Sequence, residues 1–212
     1  MPTTFYNWKI GGEAGYGIMN TAGPIFAKTL LRGGFFVFIY SEYPSLIRGG
    51  HNTMQAAVSS KPINAVYSQL DQLVALNWHT VVMHQDEVKK GGVVIYDADN
   101  SRMPPLTGTH TVKKAKNKVK LRQDIKFIPV NFTKIAEETG GDKIMKNMAA
   151  VGAALRQFKV QSPLQFGGQA KSKVDLLEIG REVIEDVFES KGQGIVKANQ
   201  RVLEAGYNSI RN

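Results

Sequence analysis

The chain has 212 residues, of which 42% are hydrophobic and 21% are charged, a balance typical of a globular domain with a substantial core. It contains no cysteine, which excludes disulfides, thiolate catalysis and an iron–sulfur cluster held through cysteines of this chain. The net charge of +9 favours anionic partners, but solubility alone explains such a charge equally well. No apolar stretch approaches the roughly 20 residues needed to span a bilayer, and residues 1–4 lack signal features, so we expect a cytoplasmic protein that does not enter a membrane.

The first 40 residues predict a strand, a helix and a second strand. Residues 7–10 predict a short strand that leads into a glycine-rich turn, and apolar residues at three- and four-residue steps then predict a helix. Pro24 lies inside that helix, where an interior proline removes a hydrogen bond and kinks the backbone. The apolar run 35–40 predicts a buried strand, which we expect to pair in parallel with the first.

The rest of the chain alternates strands with helices. Strands are predicted at 53–59, 73–77, 92–97 and 127–130, and helices at 131–140, 142–158, 174–188 and 195–205, the first capped by Asn131 and the last ended by Gly206. This order predicts an α/β fold, a single Rossmann-like domain with a mostly parallel sheet flanked by helices.

Residues 101–126 depart from this pattern because they are rich in lysine and contain Asp124 as the single acid. They predict a basic surface excursion between two core strands, in the form of a ribbon. Nucleic-acid-binding surfaces normally interleave aromatic residues with the basic ones, and this segment has none, so we expect no nucleic-acid partner.

The turn that follows the first strand has the spacing Gly12-x-x-Gly15-x-Gly17. A strand, a glycine-rich turn and a helix together can bind a phosphate through backbone N–H groups. The spacing matches neither the dinucleotide fingerprint nor the P-loop, and Glu13 would repel a phosphate placed directly above it. A tight turn that packs the helix on the sheet explains the glycines equally well.

Segment 41–52, SEYPSLIRGGHN, places concentrated polar chemistry after a predicted strand. Glu42 could hold ribose hydroxyls, and Arg48 beside two glycines suits a carboxylate or phosphate. Arg48 could instead fasten the loop by bonding carbonyls, and His51 and Asn52 could either act in proton transfer or orient the loop. The four histidines of the chain show no ligand spacing, so we expect no metal site.

The strings KIGGEAGYGI at 9–18 and EYPSLIRGGHN at 42–52 resemble the gamma domain of 2-oxoacid:ferredoxin oxidoreductases, the family of pyruvate, 2-oxoglutarate and 2-ketoisovalerate enzymes. Further similarity lies at 73–77, 147–153 and 199–207. The resemblance implies one gamma-type domain over 1–212, with 101–126 as a variable basic insertion. The second string is similar to the form in which the gamma unit is fused ahead of the alpha unit, so the chain is either a free subunit or the N-terminal domain of a fused alpha chain.

The family oxidatively decarboxylates a 2-oxoacid on thiamine pyrophosphate, passes electrons through [4Fe–4S] clusters to ferredoxin and forms an acyl-CoA. This chain has neither cysteine nor a thiamine motif, so the resemblance implies that both cofactors lie on partner subunits, alpha and beta, with delta as a further candidate. The chain is then not active alone. It completes the active-site cleft and shares coenzyme A with its partners.

We expect the coenzyme A or substrate site to be lined by Gly12, Gly15, Gly17, Ser41, Ser45, Arg48, Gly49 and Asn52. We assign no catalytic acid or base among them. The alternative is a stand-alone nucleotide-binding or regulatory module that uses the loop at 11–17.

Overall fold

The structure is a computed structural model that describes residues 5–44, 50–99, 111–114, 117–159 and 174–211, with the backbone alone described at 111–114 and 117–119. The strands are β1 (Phe5–Glu13), β2 (Phe36–Glu42), β3 (His51–Ser59), β4 (Leu70–Ala75), β5 (Val88–Asp97), β6 (Thr111–Lys114), β7 (Asn117–Lys120) and β8 (Lys126–Val130). The α-helices are α1 (Gly23–Arg32), α2 (Trp78–His84), α3 (Phe132–Ile135), α4 (Lys146–Gln157), α5 (Leu176–Phe188) and α6 (Gln193–Ser209).

Six strands form one mixed sheet in the order β2-β3-β1-β4-β5-β8. The pairs β1–β4, β4–β5 and β5–β8 are parallel, whereas β3 is antiparallel to both of its neighbours. Because β1 and β2 are both antiparallel to β3, β3 alone runs against the common direction of the sheet. The predicted α/β fold with a mostly parallel, helix-flanked sheet is therefore confirmed.

The position predicted for β2 was wrong. We expected a buried strand paired in parallel with β1, but β3 lies between them and β2 forms the edge of the sheet. Phe36, Ile39 and Tyr40 are 43%, 47% and 49% exposed. An apolar run shows that a strand has hydrophobic side chains, but it does not show whether a neighbouring chain or this one covers them.

The region around Pro24 shows why a proline is accommodated there. Residues Ile18–Ala22 form a π-helical turn, and α1 begins only at Gly23. Pro24 therefore lies in the first turn of α1, where its missing N–H has no intrahelical partner to lose. The predicted single helix is therefore two segments, and Pro24 lies just after their junction.

Two hydrophobic cores cover the two faces of the sheet. Val74 and Ile95 belong to the core under α1, α4, α5 and α6, whereas Leu73 and Val94 belong to a smaller core under α2. Successive residues of a strand point to opposite faces, so the two cores lie on opposite sides of the sheet. In the larger core, the ring of Trp8 stacks on that of Phe26 with centroids 4.0 Å apart.

The small residues of α4 allow α6 to pack very close to it, as their pattern predicted. A side chain at Gly206 would collide with the backbone of Ala149, and one at Gly152 would collide with the carbonyl of Leu203. The predicted helix end at Gly206 was wrong, since α6 continues to Ser209. Gly206 is there because of helix packing and not because the helix stops.

Asn131 occupies the N-cap position of α3, as predicted, but its side chain makes no capping hydrogen bond there. The structure also confirms a ribbon in the basic excursion, because β6 and β7 pair in antiparallel register. Arg122, just beyond the ribbon, donates hydrogen bonds to Asp124 and to the carbonyl of Val88. Its guanidinium is therefore paired within the fold. Across the described ranges, the helices are all too short or too polar to cross a bilayer.

Candidate functional site

The two loops singled out in the sequence lie side by side at one edge of the sheet. Glu13, the last residue of β1, lies opposite His51, the first residue of β3. Just beyond this pair, the amide of Ala14 donates to the carbonyl of Gly50 at 2.8 Å. The parallel strands β4 and β5 end at the same edge. The carboxyl edge of a parallel sheet is where α/β proteins usually bind ligands.

The three predicted glycines of the turn after β1 have different surroundings. A side chain at Gly12 would lie 3.0 Å from the ring of Tyr16, and one at Gly17, where φ is 70°, would lie 2.5 Å from the amide nitrogen of Asn147. Gly15 has a φ of 98° and open space around it. Packing and backbone geometry thus account for Gly12 and Gly17, and the backbone of Gly15 is open to a ligand.

The structure brings Asn52 directly opposite Gly12, on adjacent strands. Ser41 lies on β2 opposite Met54, so it is one strand further from the glycine turn. Ser45, Arg48 and Gly49 fall outside the described residues.

An open cleft of ≈ 770 Å³ lies next to this edge. It is lined by Tyr40, Ser41, Glu42, Tyr43, Pro44, Gly50, His51, Thr53, Met83 and His84. Of the eight predicted site residues, Ser41 is the one that the structure describes in this lining. Glu42 accepts a hydrogen bond from the hydroxyl of Thr53 at 3.3 Å, which holds that carboxylate against β3.

A cluster of titratable side chains lies beside the cleft, and two of its members, His51 and His84, line it. Nε2 of His51 lies 2.9 Å from Nε2 of His84, and the two rings stack with centroids 5.0 Å apart. Nδ1 of His84 lies 2.6 Å from Oε1 of Glu87, whose Oε2 accepts from Nζ of Lys9 at 2.5 Å. The ring of His79 stands at 90° to that of His51, with centroids 5.3 Å apart.

The surroundings of this cluster set its charges. Burial lowers the pKa of His51 to about 4, and the neighbouring His84, His79 and Lys9 act in the same direction against the opposing charge of Glu87. Burial disfavours the carboxylate of Glu87, but hydrogen bonds from His84 and Lys9 outweigh it, so the pKa of Glu87 lies below its ordinary value. At neutral pH, His51 is therefore uncharged and Glu87 is a carboxylate.

Sequence reasoning missed this cluster because it treated the histidines as scattered. One local signal was available, since His84 and Glu87 are three residues apart at the end of a short helix. The contact between His51 and His84 depends on how α2 packs on the sheet, which no spacing along the chain reveals. Among the residues that the structure describes, no group of three or more histidine or acidic side chains is placed to hold a metal ion.

A buried lysine that no sequence pattern predicted anchors the glycine turn. Nζ of Lys146 donates to the carbonyl of Leu76 at 3.3 Å, lies 3.5 Å from Oδ2 of Asp97, and lies 3.9 Å from the centre of the Tyr16 ring. Burial lowers the pKa of Lys146, and the carboxylate of Asp97 opposes that shift. Asp97 is also bound by the hydroxyl of Thr133 at 2.8 Å. This network ties α4 to the ends of β4 and β5.

Residues 7–209 match the family described as pyruvate ferredoxin/flavodoxin oxidoreductase, and the chain belongs to it. The resemblance found in the sequence is thereby confirmed.

The relatives are subunits of 2-oxoacid:ferredoxin oxidoreductases. The chain is 29% identical, over 95% of its length, to a 2-oxoacid:ferredoxin oxidoreductase subunit alpha from a Sulfolobus species, and covers 34% of that relative. The corresponding subunit from Saccharolobus solfataricus is 26% identical over 86% of the chain, which covers 31% of it. The chain thus spans about a third of the length of these curated relatives. It is also 28% identical, over 68% of its length, to the 2-oxoglutarate synthase subunit KorC of Methanothermobacter thermautotrophicus and covers 72% of that subunit.

Solved structures share the fold. A 2-oxoglutarate:ferredoxin oxidoreductase from Magnetococcus marinus, solved with 2-oxoglutarate, coenzyme A and succinyl-CoA bound, superposes with a TM-score of 0.75 at 21% identity, over 98% of this chain and 32% of that one. The gamma subunit of a keto/oxoacid ferredoxin oxidoreductase from Geobacter sulfurreducens superposes with a TM-score of 0.67 at 20% identity, over 96% of this chain and 97% of that one.

Proposed function

We propose that this chain is the gamma-type component of a cytoplasmic 2-oxoacid:ferredoxin oxidoreductase, which oxidatively decarboxylates a 2-oxoacid to an acyl-CoA and passes the electrons to ferredoxin. The observation that carries the proposal is the family match over residues 7–209. The hydrogen bond between Ala14 and Gly50, which joins the two motif loops at the carboxyl edge of the sheet, supports it.

The reactive cofactors belong to partner subunits in this proposal. Thiamine pyrophosphate and [4Fe–4S] clusters lie on alpha and beta partners, with delta as a further candidate, because this chain has no cysteine to ligate a cluster. Its own contribution is to complete the active-site cleft and to share the binding of coenzyme A. The solved relative from Magnetococcus marinus, which contains coenzyme A, supports that choice of ligand.

Within the site, Gly12, Gly15, Gly17, Ser41, Ser45, Arg48, Gly49 and Asn52 line the coenzyme A or substrate pocket. The open backbone at Gly15 supports a role for the turn in holding an anionic group, since N–H groups before a helix favour negative charge. Glu13 lies in the same turn and is exposed, so the anion binds beside the turn and not above that carboxylate.

We further propose that residues 1–212 act as one gamma-type domain, with 101–126 as a variable insertion. The near-complete overlap with the gamma subunit from Geobacter sulfurreducens supports this, since the chain covers 97% of it. The chain also matches about a third of the length of the alpha subunits, so the proposal covers both a separate subunit and a domain of a fused alpha chain.

Affinity purification of this chain from its own cells tests the proposal. We expect it to bring down partners that carry thiamine pyrophosphate and iron–sulfur clusters, and the assembly to reduce ferredoxin when a 2-oxoacid and coenzyme A are supplied. Calorimetry of the isolated chain with coenzyme A, NAD and ATP distinguishes the alternative. Tight binding of NAD or ATP by a chain that purifies without partners would show a stand-alone nucleotide-binding module instead.

A further inference from the structure

The hydrogen bonds of the histidine cluster determine which of its ring nitrogens carry a hydrogen. Both oxygens of the Glu87 carboxylate accept hydrogen bonds, one from Lys9 and one from Nδ1 of His84, so that nitrogen carries a hydrogen. The 2.9 Å contact between the two Nε2 atoms holds a single hydrogen, because neither two N–H groups nor two bare nitrogens form a hydrogen bond. While the pair is uncharged, His51 is therefore the Nε2–H tautomer, and its Nδ1 is bare.

That bare nitrogen has no hydrogen-bond donor. Nδ1 of His51 is shielded from water and makes no hydrogen bond to any described residue. A buried acceptor left unpaired destabilises the fold, and such atoms in folded proteins call for an explanation. The same imidazole lines the cleft, so a ligand bound there lies beside this ring.

The groups around His51 keep it uncharged until a ligand arrives. Lys9 on β1, His79 and His84 on α2, and the carboxylate of Glu87 after α2 are the charged or titratable side chains that act on it. Glu13 on β1 is the residue paired with His51 on β3. Glu42 on β2 already accepts a hydrogen bond from Thr53. Burial disfavours a positive charge on His51, and His84, His79 and Lys9 act in the same direction, so its ring stays an uncharged hydrogen-bond acceptor.

We propose that His51 is the general base that takes the proton from a thiol bound in the cleft, and that His84 and Glu87 are positioning residues that hold its tautomer. The choice of a thiol rests on the proposed function, in which coenzyme A is the ligand. The S–H bond breaks as the sulfur forms its bond to the acyl carbonyl carbon, the proton bonds to Nδ1 of His51, and the π electron pair of the C=O moves onto its oxygen. When that pair re-forms the C=O, the bond between the acyl carbon and its carrier on the partner subunit breaks, and the bonding pair leaves with the carrier. The positive charge is then shared by two imidazoles beside the Glu87 carboxylate, and no electron is transferred.

The chemistry suits a weakly basic imidazole. A sulfur atom that is forming a bond to carbon becomes far more acidic than a free thiol, so the base need not ionise the thiol beforehand. His51, His84 and Glu87 form a chain of hydrogen bonds similar to that of a catalytic triad, in which each group orients the one before it. Gly11 leaves room for this line, because a side chain there would lie 2.6 Å from Thr80 and 3.3 Å from the ring of His51.

The assembled enzyme provides the test of the catalytic step. We compare acyl-CoA formation at saturating coenzyme A with oxidation of the 2-oxoacid when coenzyme A is omitted, in His51→Asn and Glu87→Gln variants. We expect the ratio of the two rates to fall about 100-fold for the first variant and about 10-fold for the second, within the range of general-base effects. Glu204→Gln, which alters an ion pair on α6 on the other side of the sheet, is the matched control and keeps the ratio. An unchanged ratio in both cluster variants contradicts the proposal.

Nitrogen NMR of the isolated chain tests the tautomer without needing activity. At pH 7 we expect Nδ1 of His51 to show the shift of an unprotonated imidazole nitrogen, and Glu87→Gln to move the resonances of both histidines. A protonated Nδ1 in the wild-type chain overturns the proposal even if the enzyme is active. If the wild-type assembly forms no acyl-CoA, the proposed function fails instead, and the NMR result alone decides whether the histidines form the expected pair.

Discussion

The amide of Ala14 donates to the carbonyl of Gly50 at 2.8 Å, and this bond joins the glycine turn after β1 to the loop before β3. The pairing of Glu13 with His51 continues it into the sheet. Two motifs that are far apart in the chain are thus neighbours, because β3 inserts between β1 and β2 in antiparallel register. The sequence predicted β2 as the parallel neighbour of β1. In the structure β3 takes that position, and its pairing with β1 brings the two motifs together.

Helix packing at Gly206 gives a prediction for stability. Gly206→Ala places a methyl group against the backbone of Ala149, so we expect the free energy of unfolding to fall by about 1–3 kcal/mol. Gly194→Ala is the matched control, because Gly194 lies in the same helix with nothing near it, and alanine there should raise stability by up to about 1 kcal/mol. Urea titration of both variants measures this. Equal effects of the two substitutions on stability would show that the contact between α4 and α6 leaves room for a methyl group at Gly206.

The buried pair of Lys146 and Asp97 gives a second prediction. Lys146→Met removes one partner and leaves a fully buried carboxylate, so we expect a loss of about 3 kcal/mol, at the lower end of the effect of breaking buried pairs. The bond from Thr133 to Asp97 keeps the loss from being larger. Lys134→Met, which breaks an exposed pair with Glu138, is the comparison, and we expect about 0.5 kcal/mol or less from it. Denaturation curves in which the two variants lose the same stability would contradict a role for Lys146 in anchoring the turn.

The lowered pKa of His51 predicts how stability depends on pH. Its folded pKa of about 4 lies below the unfolded value of 6.5, so the unfolded chain binds more protons between these values and stability falls as the pH drops through that window. The lowered pKa of Glu87 acts in the same direction at more acidic pH. We expect urea midpoints to decrease from pH 7 to pH 4.5, and to decrease less in His51→Asn. A midpoint that rises on acidification would mean that His51 is charged in the folded protein.

Arg48 gives a prediction for ligand binding, which rests on its place in the family motif at 42–52. We expect Arg48→Ala in the assembled enzyme to raise the KM for coenzyme A or for the 2-oxoacid about tenfold, the loss of roughly one charge-assisted hydrogen bond. Arg32→Ala, which removes an arginine paired with Asp186 on the surface, should leave KM unchanged. Steady-state kinetics with each substrate varied in turn distinguishes the two. If both variants keep the wild-type KM, Arg48 has a structural role.

Local patterns predicted most of the elements of the fold but not their neighbours. The alternating strands and helices gave the α/β class and the mostly parallel sheet, and the thin face of α4 predicted its close packing. The edge position of β2 and the continuation of α6 past Gly206 were missed, because each depends on which element packs against it. Glycine can end a helix or admit a neighbouring helix, and the sequence alone does not distinguish these causes.

The candidate site was predicted in part for the same reason. Gly12 and Asn52 were both predicted, and the structure places them opposite each other. Lys9, His84 and Glu87 were not predicted, since they come from three different elements and meet only through the packing of α2 on the sheet. Spacing along the chain reveals groups that share an element, whereas contacts between elements need the fold.

The most direct test of the central claim is ferredoxin reduction by the alpha and beta partners with and without this chain. We measure the rate at saturating 2-oxoacid and coenzyme A after adding the purified chain in increasing amounts. The account predicts that the rate is negligible without it and rises to saturation at an equimolar ratio. Partners that reach the full rate without this chain, or that do not bind it, would contradict the account.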